Sequence, residues 1–235
     1  MFGEMKKNVL LCTKFLSNIN LKSKSMKKLL VAIVAVLFAA PSFAQFNSGG
    51  FSLNESTVYY GMRLGLNVSN LTGDMDENGA KAGLNFAGVL GLRISDSTPI
   101  FLESGLYFTQ RGASKDKNTY VSLNYLEIPL LLKYGIAATD EIAVLPFIGP
   151  TFSYGVGGKM KAGEGADKES SFGSNKFTRP DVGIKVGCGA EYNKLYLEMG
   201  YQFGLTNIAD WKIAGKNDDA SVHNGAFFVN LGVNF

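Results

Sequence analysis

An all-β fold, an eight-stranded antiparallel up-and-down transmembrane barrel, is predicted by three observations on this chain. Eight stretches alternate with a period of two, each keeps its charged residues on one face, and short connections alternate with long ones. In the first stretch Val58, Tyr60, Met62, Leu64, Leu66 and Val68 share one parity, and Tyr59, Gly61, Arg63, Gly65, Asn67 and Ser69 share the other. Closing such strands with the apolar parity outward gives a lipid-facing wall around a polar interior.

The strands are expected at 57–70, 82–95, 99–112, 119–135, 142–156, 179–192, 195–208 and 224–235. Each reaches the ~9–11 residues that a tilted strand needs to cross a bilayer. Three connections are short: Asp96 to Thr98, Ile136 to Glu141, and Asn193-Lys194. The other four, Leu71 to Lys81, Ala113 to Asn118, Gly157 to Phe177 and Ala209 to His223, are mostly longer and more polar. Short periplasmic turns and longer extracellular loops, with both termini on the periplasmic side, produce this rhythm.

The two-residue turn offers a parity test. Pairing Tyr192 with Leu195 across Asn193-Lys194 requires the inward set to pass from odd to even numbers. Asp181, Gly183, Lys185, Gly187, Gly189 and Glu191 do give way to Tyr196, Glu198, Gly200, Gln202 and Gly204. Carried around the barrel, the outward face takes even positions 58–68, 84–94, 100–108, 126–134, 144–154 and 182–192, then odd positions 195–205 and 227–235. None of these 45 positions is Asp, Glu, Lys, Arg or His. An Arg or Lys at mid-bilayer depth would cost ~2–4 kcal/mol, so a lipid face excludes them. Tyr134 and Tyr192 fall near one rim and Phe108, Tyr154 and Phe227 near the other, as aromatic girdles do.

The inward face collects Arg63, Arg93, Arg111, Lys133 and Lys185 against Glu103, Glu127, Asp181, Glu191 and Glu198, a neutral set. Eight strands enclose a lumen about wide enough for side chains to fill, so these groups are expected to pair with one another in a structural network. Arg93, diagonal to Glu103 across its hairpin, is the first pair expected. Pro129 lacks a ladder donor in mid-strand and predicts a bulge or local kink.

Ahead of the barrel, Met26-Lys27-Lys28, the apolar run Leu29 to Ala40 and then Pro41-Ser42-Phe43-Ala44 read as a secretory signal, with the mature chain starting near Gln45. Residues 1–25 look like an over-long start or leader extension, 26–44 like the signal, 45–56 like a short polar periplasmic tail, and 57–235 like the barrel domain. Residues 1–44 hold seven of the 23 basic residues and one of the 20 acidic ones, so residues 45–235 carry 16 against 19. That balance gives no support to a nucleic-acid partner. Cys12 lies in the leader, and Cys188 alone cannot form an internal disulfide.

The run Tyr125-Leu126-Glu127-Ile128-Pro129-Leu130-Leu131-Leu132-Lys133-Tyr134 resembles the hallmark strand of the PorT-like outer-membrane β-barrel family, often labelled the porin family. Pro146-Phe147-Ile148-Gly149-Pro150, Asp181-Val182-Gly183, Gly187-Cys188-Gly189 and Gly204-Leu205-Thr206-Asn207-Ile208 support the likeness over residues 57–235. The resemblance implies an integral barrel in a Gram-negative outer membrane, and one branch is associated with protein secretion. It implies neither a pore nor catalytic residues. The outward face of the last strand, Phe227, Val229, Leu231, Val233 and Phe235, resembles the signal that hands such barrels to their insertion machinery.

The partners expected are therefore outer-membrane lipid, that machinery, and envelope or secretion proteins met through loops 157–177 and 209–223. No cofactor or metal site is expected. His223 near Ser221 and Asp219 is spaced like ordinary loop residues rather than a triad, and the glycine runs 155–158 and 163–165 open no helix. The expected function is that of a non-enzymatic structural or interaction component of the envelope. A small-solute channel and a soluble lipocalin-like ligand-binding barrel are the rivals, the first needing a continuous water path and the second an apolar interior.

Overall fold

The computed structural model describes residues 58–75, 79–95, 97–139, 141–212 and 219–235. The leader, signal and tail expected over 1–56, and Lys216 in the last loop, lie outside the described residues. Eight strands build the wall: β1 (Val58–Gly73), β2 (Lys81–Arg93), β3 (Ile100–Ser114), β4 (Thr119–Tyr134), β6 (Ile142–Ala162), β8 (Pro180–Tyr192), β9 (Leu195–Gly204) and β10 (Val222–Asn234). Two short strands, β5 (Ile136–Ala137) and β7 (Glu169–Ser170), pair with the two ends of β6. Wall neighbours are antiparallel in the order β4-β3-β2-β1-β10-β9-β8-β6, and β4 pairing with β6 completes the ring. The seam between β1 and β10 runs from Gly61 opposite Asn234 to Gly73 opposite Val222, so no barrel edge is left open.

Sidedness follows the alternation. None of the 45 outward positions is buried, and Leu64 and Leu231 are 63% and 66% exposed. Arg63 and Glu127, one residue from such positions, are each 1% exposed. Tyr192 pairs with Leu195 as the two-residue turn requires, with Asn193 in the left-handed region at φ 58. The apolar belt, enclosing buried charges, is the reverse of a lipocalin-like barrel.

The wall departs from the expected spans at the loop end. β6 continues through Gly157-Gly158 to Ala162, so the first six residues expected as loop 157–177 are strand paired with Thr119–Asn124. One extra residue at the register shift between Asn124 and Tyr125 swaps the parity of β6, which hides the continuation from a strict two-residue pattern. Pro129, where a bulge was expected, sits in an unbroken register opposite Thr151. Instead its missing N–H interrupts the ladder on the β3 side, and the Ser104 hydroxyl donates to the Pro129 carbonyl at 2.7 Å. β9 ends at Gly204, short of the expected 208. The Asn207 side chain takes over there, accepting from the backbone N–H of Ala209 at 3.1 Å and Val222 at 2.8 Å, and turning the chain over the mouth.

Candidate functional site

Inside the barrel the charges separate into two clusters, each neutral. Near the turn end, Glu103 accepts from Tyr59 Oη at 2.7 Å and pairs with Lys133 Nζ at 2.8 Å and Arg63 Nη2 at 3.4 Å. Lys133 also donates to Tyr196 Oη at 2.8 Å and lies 3.9 Å from Glu198, which accepts from Asn230 Nδ2 at 2.8 Å. The Arg63 guanidinium lies 4.1 Å from the centroid of the Tyr196 ring. Nearer the loops, Glu127 accepts from Arg111, from Lys185 at 2.6 Å, from Gln202 at 2.9 Å and from Ser153 at 3.1 Å. Arg111 reaches Asp181 at 3.5 Å, and Asn224 Nδ2 donates to the same carboxylate at 2.8 Å. Two cations thus face two carboxylates in each cluster.

Between the clusters lies a layer of small polar and aromatic side chains. Asn67 donates to Asn85 at 2.8 Å and Thr109 at 3.0 Å, and Phe147 stacks on Phe228 beside Leu131. A void of about 10 Å³ between Tyr107, Arg111, Gln202 and their neighbours is the size of about one water molecule. The lumen is packed, and its lining is more apolar than the charge pattern implied.

Arg63, Glu103, Arg111, Glu127, Lys133, Asp181, Lys185 and Glu198 are brought together in these clusters. Glu191 stands at the turn-end rim and accepts from Asn234 at 2.7 Å. Arg93 does face Phe101, as its register requires, but its Nε donates to the Ser95 carbonyl at 2.8 Å, and the ion pairs at Glu103 are with Arg63 and Lys133. The expected Arg93–Glu103 pairing thus gives way to Lys133, diagonal to Glu103 across its other hairpin, and to Arg63, which reaches it from β1, two strands away.

Sequence reasoning missed the cap. Above the Arg111 cluster the inward positions Leu71, Ala113, Leu123 and Val222 turn apolar, and Phe172, Phe177 and Ile208 from the two long loops pack down on them. Phe172 meets Tyr125 edge-on at 5.8 Å, and Arg179 covers the outer side of Phe172 at 5.4 Å while its Nη1 donates to the Gly155 carbonyl at 2.7 Å. A Cβ at position 155 would collide with the Phe172 ring, which accounts for glycine there. The barrel's inverted polarity therefore reverts at the loop end to an ordinary apolar core. Truncating Phe172 to Ala should cost about 3–5 kcal/mol of local cap stability, read as faster protease cleavage within 163–179 while the barrel stays folded.

Over the cap opens a cleft of about 400 Å³. Val121 and Met160 of the β4–β6 hairpin form one wall, and Phe177, Trp211 and Met75 the other. Trp211 meets Phe177 edge-on at 5.1 Å. On the rim Lys176 donates to Glu169 at 2.8 Å, a hydrogen bond that holds the Glu169 carboxyl below the usual range. Ser221 Oγ comes within 3.3 Å of His223 Nε2, and among the described residues Nδ1 of His223 has no hydrogen-bond partner, while Asp219 forms a backbone bridge with Lys212.

A family model described as the outer membrane protein beta-barrel domain matches residues 43–210, from ahead of β1 through β9. The chain belongs to this family of outer-membrane barrels. No curated protein matches the chain in sequence. Among solved structures, this outer-membrane barrel is similar to Neisserial surface protein A, at 18% identity over 77% of this chain and 100% of that one, with a TM-score of 0.45. It is also similar to Ail, the attachment invasion locus protein of Yersinia pestis, at 15% identity over 75% and 98%, with a TM-score of 0.38. OprG from Pseudomonas aeruginosa is similar at 13% identity over 77% and 98%, with a TM-score of 0.40.

Proposed function

We propose that this outer-membrane barrel is a closed, non-conducting and non-enzymatic surface component that meets its partners through its loop end. The observation that carries the reading is the stacked lumen: two neutral ion clusters, an aromatic layer between them and an apolar cap above. A hydrated ion would have to strip its water and break one of these clusters to pass. In planar bilayers the purified barrel is expected to give no steady single-channel openings; steady openings would establish the small-solute channel instead.

The cleft over the cap supports loop-mediated contact with other envelope proteins, since it joins an apolar floor to a charged rim as protein docking sites do. Phe177 and Trp211 of its walls come from both segments expected to make such contacts, now bounded at 163–179 and 205–221. The resemblance of Tyr125 to Tyr134 to the PorT-like family, one branch of which is associated with protein secretion, favours a secretion accessory among the envelope roles. A photocrosslinker at Asp167 is expected to yield adducts with envelope proteins in intact cells, whereas one at the lipid-facing Val186 is not. Equal adducts from both positions would remove the assignment to the loops.

The same reading includes export with removal of residues 26–44 and insertion guided by Phe227, Val229, Leu231, Val233 and Phe235, which lie on the outer wall beside β1. N-terminal sequencing of the protein isolated from membranes should begin at Gln45.

A further inference from the structure

The parity swap at the Asn124/Tyr125 bulge sets Lys159 opposite the outward Ser122 and Lys161 opposite Tyr120. Both lysines therefore stand on the wall above the lipid-facing Leu126 and Tyr154 rather than in the lumen. Lys81 reaches the same place from β2, donating to Ser122 Oγ at 2.9 Å, and Lys161 donates to Asn118 Oδ1 at 3.2 Å, next to the exposed Lys115 and Lys117. Five lysines thus cover one flank of the loop end, over β2, β3, β4 and β6. The acid among them, Asp116, is engaged locally: its Oδ1 accepts from the backbone N–H of Asn118 at 2.7 Å and Thr119 at 2.8 Å. Glu164 and Asp167 lie in the turn past Ala162, beyond these lysines along the hairpin. On the other flank, Asp74 follows β1, and Asp210, Lys212 and Asp219 lie between β9 and β10, so among the described residues the lysines gather on the β2 to β6 flank.

We infer that this flank binds the phosphate groups of lipid headgroups in the leaflet that the loop end meets. Height on the wall decides the source. The lysines stand just beyond the aromatic girdle of Phe108 and Tyr154, at the level of Ser122 and above, where long lysine stems deliver their ammonium groups to the headgroup layer. The outward stretch between girdle and lysines carries Gln110, Asn124 and Ser122, hydrogen-bonding groups suited to the same layer.

The test uses the full barrel refolded into vesicles of phosphatidylcholine, with and without phosphatidylglycerol. Wild type is expected to melt several degrees higher in the anionic vesicles at low salt, the gain fading at high salt. Generalised electrostatics predicts the opposite sign, because residues 45–235 carry a net negative charge. Replacing all five lysines by glutamine should leave the melting point in phosphatidylcholine unchanged and erase the gain. Should that variant fail to fold, because Lys81 is part-buried, the variant Lys115→Gln/Lys117→Gln/Lys159→Gln/Lys161→Gln should lose most of it. No gain for wild type, a gain that survives the substitutions, or the full gain from inorganic phosphate added to phosphatidylcholine vesicles would each overturn the inference.

Discussion

Replacing Glu127 by leucine is expected to destabilise the barrel by about 3–5 kcal/mol, the cost of stranding buried charge when one partner of an ion pair is removed. The magnitude follows from the number of groups that converge there. Arg111, Lys185, Gln202 and Ser153 all donate to this carboxylate, and only Asp181 would remain to offset two cations. Glu127→Gln, which keeps an acceptor but not the charge, should fall between wild type and Glu127→Leu. Urea unfolding in lipid vesicles measures the series, and an unchanged midpoint for Glu127→Leu would show that water reaches the cluster.

Leu130→Arg carries the second large effect, about 2–4 kcal/mol, because position 130 is on the outer wall midway between the Tyr134 rim and Leu126. The neighbouring inward position offers the comparison. Leu131 packs with Phe147 and Phe228, so Leu131→Ala should also cost about 2–5 kcal/mol, but as a cavity rather than as a charge in hydrocarbon. Moving the protein from vesicles into a thinner or more hydrated detergent shell should relieve Leu130→Arg and leave Leu131→Ala unchanged. Equal relief of both would deny that residue 130 faces lipid.

Much of the barrel was legible in the sequence because a bilayer punishes errors of sidedness. Every outward position had to be uncharged, so parity alone located all eight wall strands and the facing of Arg63, Glu127 and Lys185. What parity could not show is who pairs with whom across the lumen. Arg93 and Lys133 stand diagonal to Glu103 across its two hairpins, yet Glu103 pairs with Lys133 and with Arg63 from β1, two strands away. Such contacts depend on the tilt and stagger of a closed ring, which local alternation does not encode. The packed aromatic layer left a trace that was available: Ile142 to Ile148 is apolar at both parities, which marks a strand whose lumen side is also greasy.

The loop end was read least well, and for one physical reason. Alternation served as a test for hydrocarbon outside, but above the girdle the outside is polar, headgroups and then water, and the rule reverses. Leu71, Leu123 and Val222 obey the ordinary rule, apolar inward, and so do Lys159 and Lys161, charged outward. The bulge and the Gly157-Gly158 pair at that boundary made the continuing strand look like a loop. Phe172 and Phe177, two aromatics in an otherwise polar stretch, were the visible sign that the segment folds back onto a core.

Spin labels at positions 64, 130 and 186, introduced one at a time in a Cys188→Ser background because Cys188 is exposed on the same wall, probe sidedness most directly. Collision with dissolved oxygen should be high and collision with an aqueous nickel chelate low at all three sites, while a label at Lys194 in the turn shows the reverse. Aqueous access at Leu64, Leu130 and Val186 equal to that at Lys194 would contradict an oily wall around enclosed charges.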